Sequence, residues 1–468
     1  MEGLNRPNVL MIYTDQQRFD SLRCYGNKIA RTPHLDKLAR EGVLFEHHYV
    51  QNPVCMPSRM SMLTSQYPGQ LGIGSNGIPL PEGELLLHQV LKPYGYHTAN
   101  IGKLHFTPHV SRQHRDPYPG YGFDTLINSD EPGCYDDAYT KWVEGQDRAM
   151  LAKIRTSLPP AAVNYHHPAY SNVPRETHQP YLFEGDENFT HSAFVTAEVC
   201  QFLEQHQGER FFAVAGFYAP HPPLHPPQKF VDLYDLEQIP LPKMGLHDQP
   251  LPFLQDVAPA DWKKVIAYYL ALVSHVDQCV GKILNKLEQL GLAEHTLIIF
   301  TSDHGEYLGD HGRIQKGWPG HDVIIRVPLI MRYPGRISSR KVVSNLVEAV
   351  DIAPTILDYC GIQQPGSFQG MSLRGLIEER TTEHKDVIIT DMFNPTGYRG
   401  TTIRTTRYKY YSDTEGNQIL YDLKQDPDEF YNLVNDQQYQ DILSEMRWRM
   451  IIKLQESGYR NRNKAAEY

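Results

Sequence analysis

Residues 9–16, "VLMIYTDQ", decide the fold, because six residues suited to a buried strand run without a break into an acid and an amide, Asp15 and Gln16. A short apolar or β-branched run bounded by polar residues reads as a strand covered on both faces. Three other runs are built the same way. Residues 97–101 pass through Gly102 into Lys103 and His105, residues 211–218 lead to Pro220 and His221, and residues 297–302 lead to Asp303 and His304. Each predicted strand therefore delivers polar side chains at its C-terminal end.

Helical patterns lie between these runs. Thr32 is placed to cap a helix with Pro33 at its first position, Leu35 and Leu38 on one face and Gly42 at its stop. Val265, Tyr269, Leu272, Val276, Val280, Ile283, Leu287 and Leu290 recur every three or four residues, and Gly291 ends that helix. Alternating strand and helix implies a mostly parallel sheet with helices on both faces, binding ligands outside the carboxyl ends of its strands. Between 107 and 182 the pattern fails in stretches rich in proline, tyrosine and histidine, which read as an insertion lining the pocket. Beyond 380 the style changes to short strands at 387–389, 401–404, 408–411 and 419–421, a turn at 415–417 and a helix from about 436 to 457. The expected organisation is an α/β catalytic domain over 1–380 and a smaller C-terminal α+β domain over 381–468, built on an antiparallel sheet.

Composition narrows the function classes. The 468 residues carry a net charge of -10, which gives no electrostatic footprint for nucleic acid. No apolar run approaches the roughly 20 residues that span a bilayer, and "MEGLNRPNVLMIYTD" lacks a signal-like pattern, so a soluble cytoplasmic protein with no membrane partner is expected. The six cysteines are dispersed without Cys-x-x-Cys spacing, which indicates neither a cysteine zinc site nor a disulfide framework and fits a reducing compartment. A homo-oligomer is left open.

The chemistry concentrates at the strand ends. Asp15 and Asp303 could meet at a topological switch point, and two crowded carboxylates need a cation or a shared proton. The plain alternative is two unrelated strand-end caps. Gln16 and His304 beside them make a mixed oxygen and nitrogen set that fits calcium and leaves magnesium and manganese open. Arg59, Lys103 and Lys316 suggest an anion site, and His105 and His221 could act as general acid and base, the roles to which an imidazole is suited. His47, His48, His225 and His321 read as structural. The combination suits displacement at a tetrahedral oxyanion, with sulfate or phosphate esters as substrates. Cys55, just ahead of Pro57 at a helix start, is a candidate nucleophile, yet a thiolate matches a hard, oxygen-preferring site poorly. An oxygen-bearing group would serve better there.

Residues 55–65, "CMPSRMSMLTS", resemble the sulfatase signature Cys-x-Pro-Ser-Arg followed by a short helix ending Leu-Thr-Gly, with Ser65 in place of the glycine. "YTDQQRFDSLRCYGN", "GYHTANIGKLHF", "FYAPHPPLHPP", "TSDHGEYLGDHGRIQKG" and "RTTRYKYYSDTEGNQILYDLKQDPDEFYNL" follow in the family's order along nearly the whole chain. The resemblance implies an alkaline-phosphatase-like fold and conversion of Cys55 by a formylglycine-generating enzyme to formylglycine (3-oxoalanine), whose hydrate carries the attacking oxygen. It also implies one divalent metal, usually calcium, held by Asp15, Asp303, His304 and the modified Cys55, with Gln16 at or beside it. Arg59 would stabilise the hydrate, Lys103 and Lys316 would bind sulfate oxygens, and His221 would protonate the leaving alcohol. His105 would assist sulfate release, with Asn76 in the same pocket. Two pairs depart from the common pattern: Asp15-Gln16 stands for Asp-Asp, and Asp303-His304 for Asp-Asn. The Asp-Gln form also occurs in choline-sulfatase-like and phosphonate monoester hydrolase relatives, whereas Ser58 and the Lys103, His105 pair point back to sulfatases. The expected activity is hydrolysis of an aryl, choline-like or carbohydrate sulfate, with a phosphonate monoester or phosphodiester hydrolase as the alternative. Specificity is expected from 107–182 and the C-terminal domain.

Overall fold

All four strands read from the sequence lie side by side at the centre of one eight-stranded sheet. The computed structural model describes residues 6–108, 118–156 and 179–458. The large sheet is made of β1 (Asn8–Asp15), β2 (Val43–Tyr49), β3 (Tyr96–Gly102), β4 (Thr125–Asn128), β5 (Arg210–Pro220), β6 (Thr296–Ser302), β7 (Leu329–Arg332) and β8 (Lys341–Glu348). Their order is β4-β3-β5-β1-β6-β7-β2-β8, and only β7 runs antiparallel to its neighbours. Val9, Met11 and Tyr13 of β1 enter the core on one face while Leu10 and Ile12 enter the core on the other. Successive side chains of a strand alternate between faces, so a strand covered on both sides has no polar side to show. That is why "VLMIYT" carries no alternation.

The helices that matter for the site are α1 (Pro33–Glu41), α2 (Cys55–Thr64), α3 (Ala138–Gln146), α4 (His191–Gln205) and the 31-residue α5 (Pro259–Gln289). Thr32 does not cap α1 with its side chain. Its hydroxyl instead accepts the Arg23 N–H at 3.1 Å. The Asp277 carboxylate of α5 accepts the free N–H groups of His34 and Leu35 at 3.2 and 2.7 Å. A buried carboxylate is the stronger acceptor for a helix N-terminus, and its position 242 residues away along the chain is invisible to local spacing.

The stretch 107–182 is less irregular than expected. Thr125–Asn128 forms the edge strand of the large sheet, parallel to β3, and Ala138–Gln146 forms α3, capped by Asp137, which accepts the Thr140 N–H at 2.9 Å. A four-residue, half-buried edge strand lacks the apolar run that betrays a central one. Within the expected insertion, residues 109–117 and 157–178 lie outside the described residues.

Four strands make the small antiparallel sheet in the order β12-β11-β10-β9: β9 (Ile388–Phe393), β10 (Arg399–Arg404), β11 (Tyr408–Asp413) and β12 (Gln418–Asp422). Ile389, Ile403, Tyr410 and Leu420 pack against Leu443, Met446 and Met450 of the last helix, α6 (Gln440–Ser457). Among the described residues no helix is long and apolar enough to cross a membrane.

Two glycines shape the end of β3. Gly102 adopts φ +94°, which L side chains rarely take, and a Cβ there would lie 2.1 Å from the Gly216 carbonyl oxygen of β5. Gly216 in turn leaves no room for a side chain, because its Cβ would stand 2.3 Å from the Lys103 carbonyl oxygen and 2.7 Å from the Lys103 nitrogen. The close approach fixes where Lys103 leaves the sheet. Gly216→Ala is expected to lower the unfolding free energy by about 1–3 kcal/mol through overpacking, measured by chemical denaturation. Gly208→Ala, with open space around it, should be close to neutral.

Candidate active site

The loop after β2 turns into α2 at Cys55, with Val54 extended and Pro57 in the first turn, where its missing N–H costs nothing. All ten residues of α2 are buried. The helix ends on Ser65 at φ 51°, the left-handed position that usually takes glycine. Ser65 Oγ donates to the Val350 carbonyl at 2.6 Å and accepts the Gly370 N–H at 3.1 Å. Those bonds offset the backbone strain.

Cys55 Sγ lies 2.7 Å from Lys316 Nζ, 3.2 Å from His304 Nε2 and 3.7 Å from Asp15 Oδ1. His304 Nε2 is 3.7 Å from Asp15 Oδ1 and 3.8 Å from Asp303 Oδ1, so two carboxylate oxygens, one ring nitrogen and one sulfur converge. All four side chains are buried. His304 Nδ1–H donates to the Gly305 carbonyl at 2.8 Å, which fixes the tautomer and turns the Nε2 lone pair toward the cluster. Burial keeps that ring neutral by lowering its pKa.

The charges of this cluster are balanced by three cations. Arg59 Nε pairs with Asp303 Oδ2 at 2.6 Å, and its two Nη atoms donate to the carbonyls of Lys103 and Thr14 at 3.0 and 3.3 Å. The guanidinium lies over the Tyr13 ring, 4.5 Å from its centroid. Lys103 Nζ stands 2.5 Å from Asp15 Oδ2 as an ion pair without the alignment of a hydrogen bond. Burial alone would raise the Asp15 pKa, but Lys103, then His221, Arg59 and Lys316, hold it well below the usual carboxylate range. Burial likewise works against the Lys103 and Lys316 ammonium groups, yet Asp15 beside the first and Cys55 beside the second raise both above the ordinary lysine value.

Gln16 adopts φ 62°, and its backbone N–H donates to Asp303 Oδ1 at 3.0 Å, while Lys316 Nζ donates to its Oε1 at 3.4 Å. His221 Nδ1 donates to the Pro222 carbonyl at 2.7 Å, which leaves Nε2 facing Lys316 Nζ at 3.2 Å. Asp15, Gln16, Cys55, Arg59, Lys103, His221, Asp303, His304 and Lys316 thus form one contact network. His105 and Asn76 flank it. The His105 backbone, at φ 60°, and that of Leu104 both donate to Asp130 Oδ1, at 2.7 and 2.8 Å, and Asn76 Oδ1 accepts the Met56 N–H at the start of α2. His321 lies apart, stacked on His311 with ring centroids 3.8 Å apart and bonded to Tyr307 Oη.

Sequence reasoning missed three supporting acids. Glu306 accepts Gln16 Nε2 and the N–H groups of Leu308 and Gln315, tying the loop that carries Lys316 to the end of β1. Glu131 accepts the Tyr218 hydroxyl at 2.8 Å and lies 3.8 Å from Lys103 Nζ. Asp130 holds the loop bearing His105. Glu306 stands two residues after His304 and could have been found there, whereas Asp130 and Glu131 lie in the stretch read as an irregular insertion.

Residues 7–362 match the family model described as Sulfatase, and residues 309–456 match the model of the N-sulphoglucosamine sulphohydrolase C-terminal region. The chain is similar to an arylsulfatase of Clostridium perfringens, 30% identical with 98% of this chain and 97% of the relative covered. It is also similar to an ulvan-active sulfatase of Formosa agariphila, 29% identical with 97% and 82% covered. Among solved structures, the phosphonate monoester hydrolase of Agrobacterium radiobacter aligns with a TM-score of 0.80 at 24% identity over 96% of both chains, a likeness of fold. The alkaline-phosphatase-like architecture expected from the sequence is the one observed.

Arg59→Ala would leave the Asp303 carboxylate buried without its ion pair. Breaking a buried pair from one side costs about 3–5 kcal/mol, so this loss of unfolding free energy is expected in chelator-treated protein, read by denaturant titration. Arg59→Lys should fall between, because it keeps the charge and loses the fork that holds two carbonyls.

Proposed function

The chain belongs to the sulfatase family and is a sulfuric ester hydrolase, and from that premise we propose that it cleaves an aryl, choline-like or carbohydrate sulfate at the cluster around Cys55. The observation that carries this reading is the position of Cys55 at a buried helix start, against two carboxylates and an imidazole on one side and Lys316 on the other. Cys55 would be converted to formylglycine by a formylglycine-generating enzyme, and the hydrated aldehyde would supply an oxygen nucleophile in place of a thiol that suits a hard site poorly.

The donor set fits a divalent cation. The Oδ1 atoms of Asp15 and Asp303 stand 3.7 and 3.8 Å from a neutral imidazole nitrogen, spacings compatible with a calcium ion bound at about 2.3–2.6 Å. Asp15, Asp303, His304 and the converted Cys55 would hold it, with Gln16 at or beside the site, and the ion would supply charge neutralisation and Lewis acidity.

The chain's own residues account for the rest. Lys103, buried, and Lys316, half-buried, both charged, would receive sulfate oxygens and stabilise charge developing on them. His221, its Nδ1 fixed on the Pro222 carbonyl, presents Nε2 to the same space and would carry the proton for the leaving alcohol. Arg59 is held by Asp303 and two carbonyls and would support the converted residue from behind. His105 would assist sulfate departure, and Asn76 would steady the start of α2. The reading includes a division near residue 380 and specificity drawn from 107–182 and the small sheet. The pair Asp15-Gln16 favours a second reading, a phosphonate monoester or phosphodiester hydrolase.

Comparing kcat/KM on matched nitrophenyl sulfate and phosphonate esters separates the two readings: the sulfate is expected to be preferred, and a phosphonate preference overturns the choice. Cys55→Ala and Cys55→Ser should both lose nearly all turnover while remaining folded, and peptide mass over residues 52–68 should reveal the aldehyde in place of the thiol. His221→Gln is expected to cost about 10²–10⁴ in rate on esters of poorly leaving alkyl alcohols. It should cost much less on nitrophenyl sulfate, whose alcohol departs unprotonated.

A further inference from the structure

The N-terminal ends of β3 and β5, at the end of the strands opposite the Cys55 cluster, carry a second convergence of donor atoms, unused by the sulfate chemistry. His97 is the second residue of β3, His206 immediately follows α4, and Glu209 immediately precedes β5. The two imidazole rings face each other with centroids 4.0 Å apart and a 36° tilt. Glu209 Oε2 lies 3.1 Å from His206 Nδ1 and 3.8 Å from His97 Nδ1, and one donor atom from each of the three residues lies within 4.8 Å of the others. Ligands arranged tetrahedrally around a metal at about 2.0–2.1 Å stand about 3.4 Å apart. The two measured separations straddle that value.

Two features make the group more than a chance gathering. His97 Nε2 is bonded to Thr125 Oγ1 of β4 at 2.9 Å, which fixes the ring and turns Nδ1 toward the carboxylate; an outer hydrogen bond of this kind orients metal-ligating histidines. The side chains of His97, His206 and Glu209 are 25%, 17% and 59% exposed, which leaves access for an ion and for a water in the fourth position.

We propose that His97, His206 and Glu209 form a second metal site, a two-imidazole, one-carboxylate centre for Zn²⁺ that clamps the end of α4 to the first residues of β3. Two nitrogens and a single carboxylate select zinc and its neighbours over calcium and magnesium, which prefer oxygen cages. Binding there displaces the hydrogen bond between His206 and Glu209 and stabilises the folded state by linkage. The seven residues of β3, at about 3.3 Å each, put the site roughly 20 Å from Lys103. The metal therefore acts on stability and leaves hydrolysis unchanged.

The test uses the intact protein in excess Ca²⁺, added to fill the proposed site at the Cys55 cluster, titrated with Co²⁺ as a visible probe and with Zn²⁺ by calorimetry. One equivalent with tetrahedral cobalt absorption is expected, together with a rise in thermal midpoint on adding Zn²⁺. In His206→Ala and in Glu209→Gln the affinity should fall at least tenfold and the rise should vanish, with esterase activity retained as the sign of an intact fold. Glu209→Gln alters an exposed side chain and keeps the test meaningful if the histidine variant folds poorly. Absence of Co²⁺ binding, or equal binding by wild type and both variants, overturns the proposal.

Discussion

Asp15 and Asp303, buried side by side at the ends of two adjacent parallel strands, impose the condition that the rest of the site must satisfy. Desolvating one carboxylate costs several kcal/mol even after relaxation, and β1 and β6 bring two together, in register through Thr14 and Ser302. Their like charges can stay ionised only if cations are built in around them. Arg59 and Lys103 answer that need directly, Arg59 from inside a helix with no exposed residue and Lys103 from a strand end pinched between two glycines. In the proposed reading the same cations would also receive the anion. Balance of charge in the resting protein and the proposed recognition of a sulfate would then be one arrangement.

This arrangement also explains the bent backbone around the site. Gln16 and His105 follow β1 and β3 in the left-handed region, which costs free energy that the surrounding bonds must offset. Asp303 Oδ1 accepts the Gln16 N–H, and Asp130 Oδ1 accepts the His105 N–H. Each bond turns the chain sharply enough to place a polar side chain over the sheet end rather than along it. Glu306 repeats the device for the loop that carries Lys316, holding two N–H groups and the Gln16 amide with one buried carboxylate. Lys316, in a glycine-flanked loop, is half-buried with its ammonium against Cys55.

Much of this was readable from residues alone, for identifiable reasons. The four central strands announce themselves because burial on both faces demands unbroken apolar runs, and their polar ends follow because ligands gather there. The long amphipathic helix and the small antiparallel sheet have equally direct patterns. What escaped notice was held by neighbours distant in sequence. β4 is an edge strand defined by pairing with β3, the cap of α1 comes from Asp277 on another helix, and Asp130 and Glu131 work only because β4 delivers them beside Lys103.

The sequence by itself determined the parallel α/β core, the strand-end acids, and the Cys-x-Pro-Ser-Arg helix start at Cys55. These are set by local burial patterns and by the residue types placed at the strand ends. Only the tertiary structure decided which cation serves which carboxylate. Arg59 went to Asp303, Lys103 to Asp15 and Lys316 to Cys55, while His304 received its tautomer from a neighbouring carbonyl. The physical reason is that a buried charge is stabilised by whatever stands within a few ångströms. Chain order does not encode that distance until the strands are side by side.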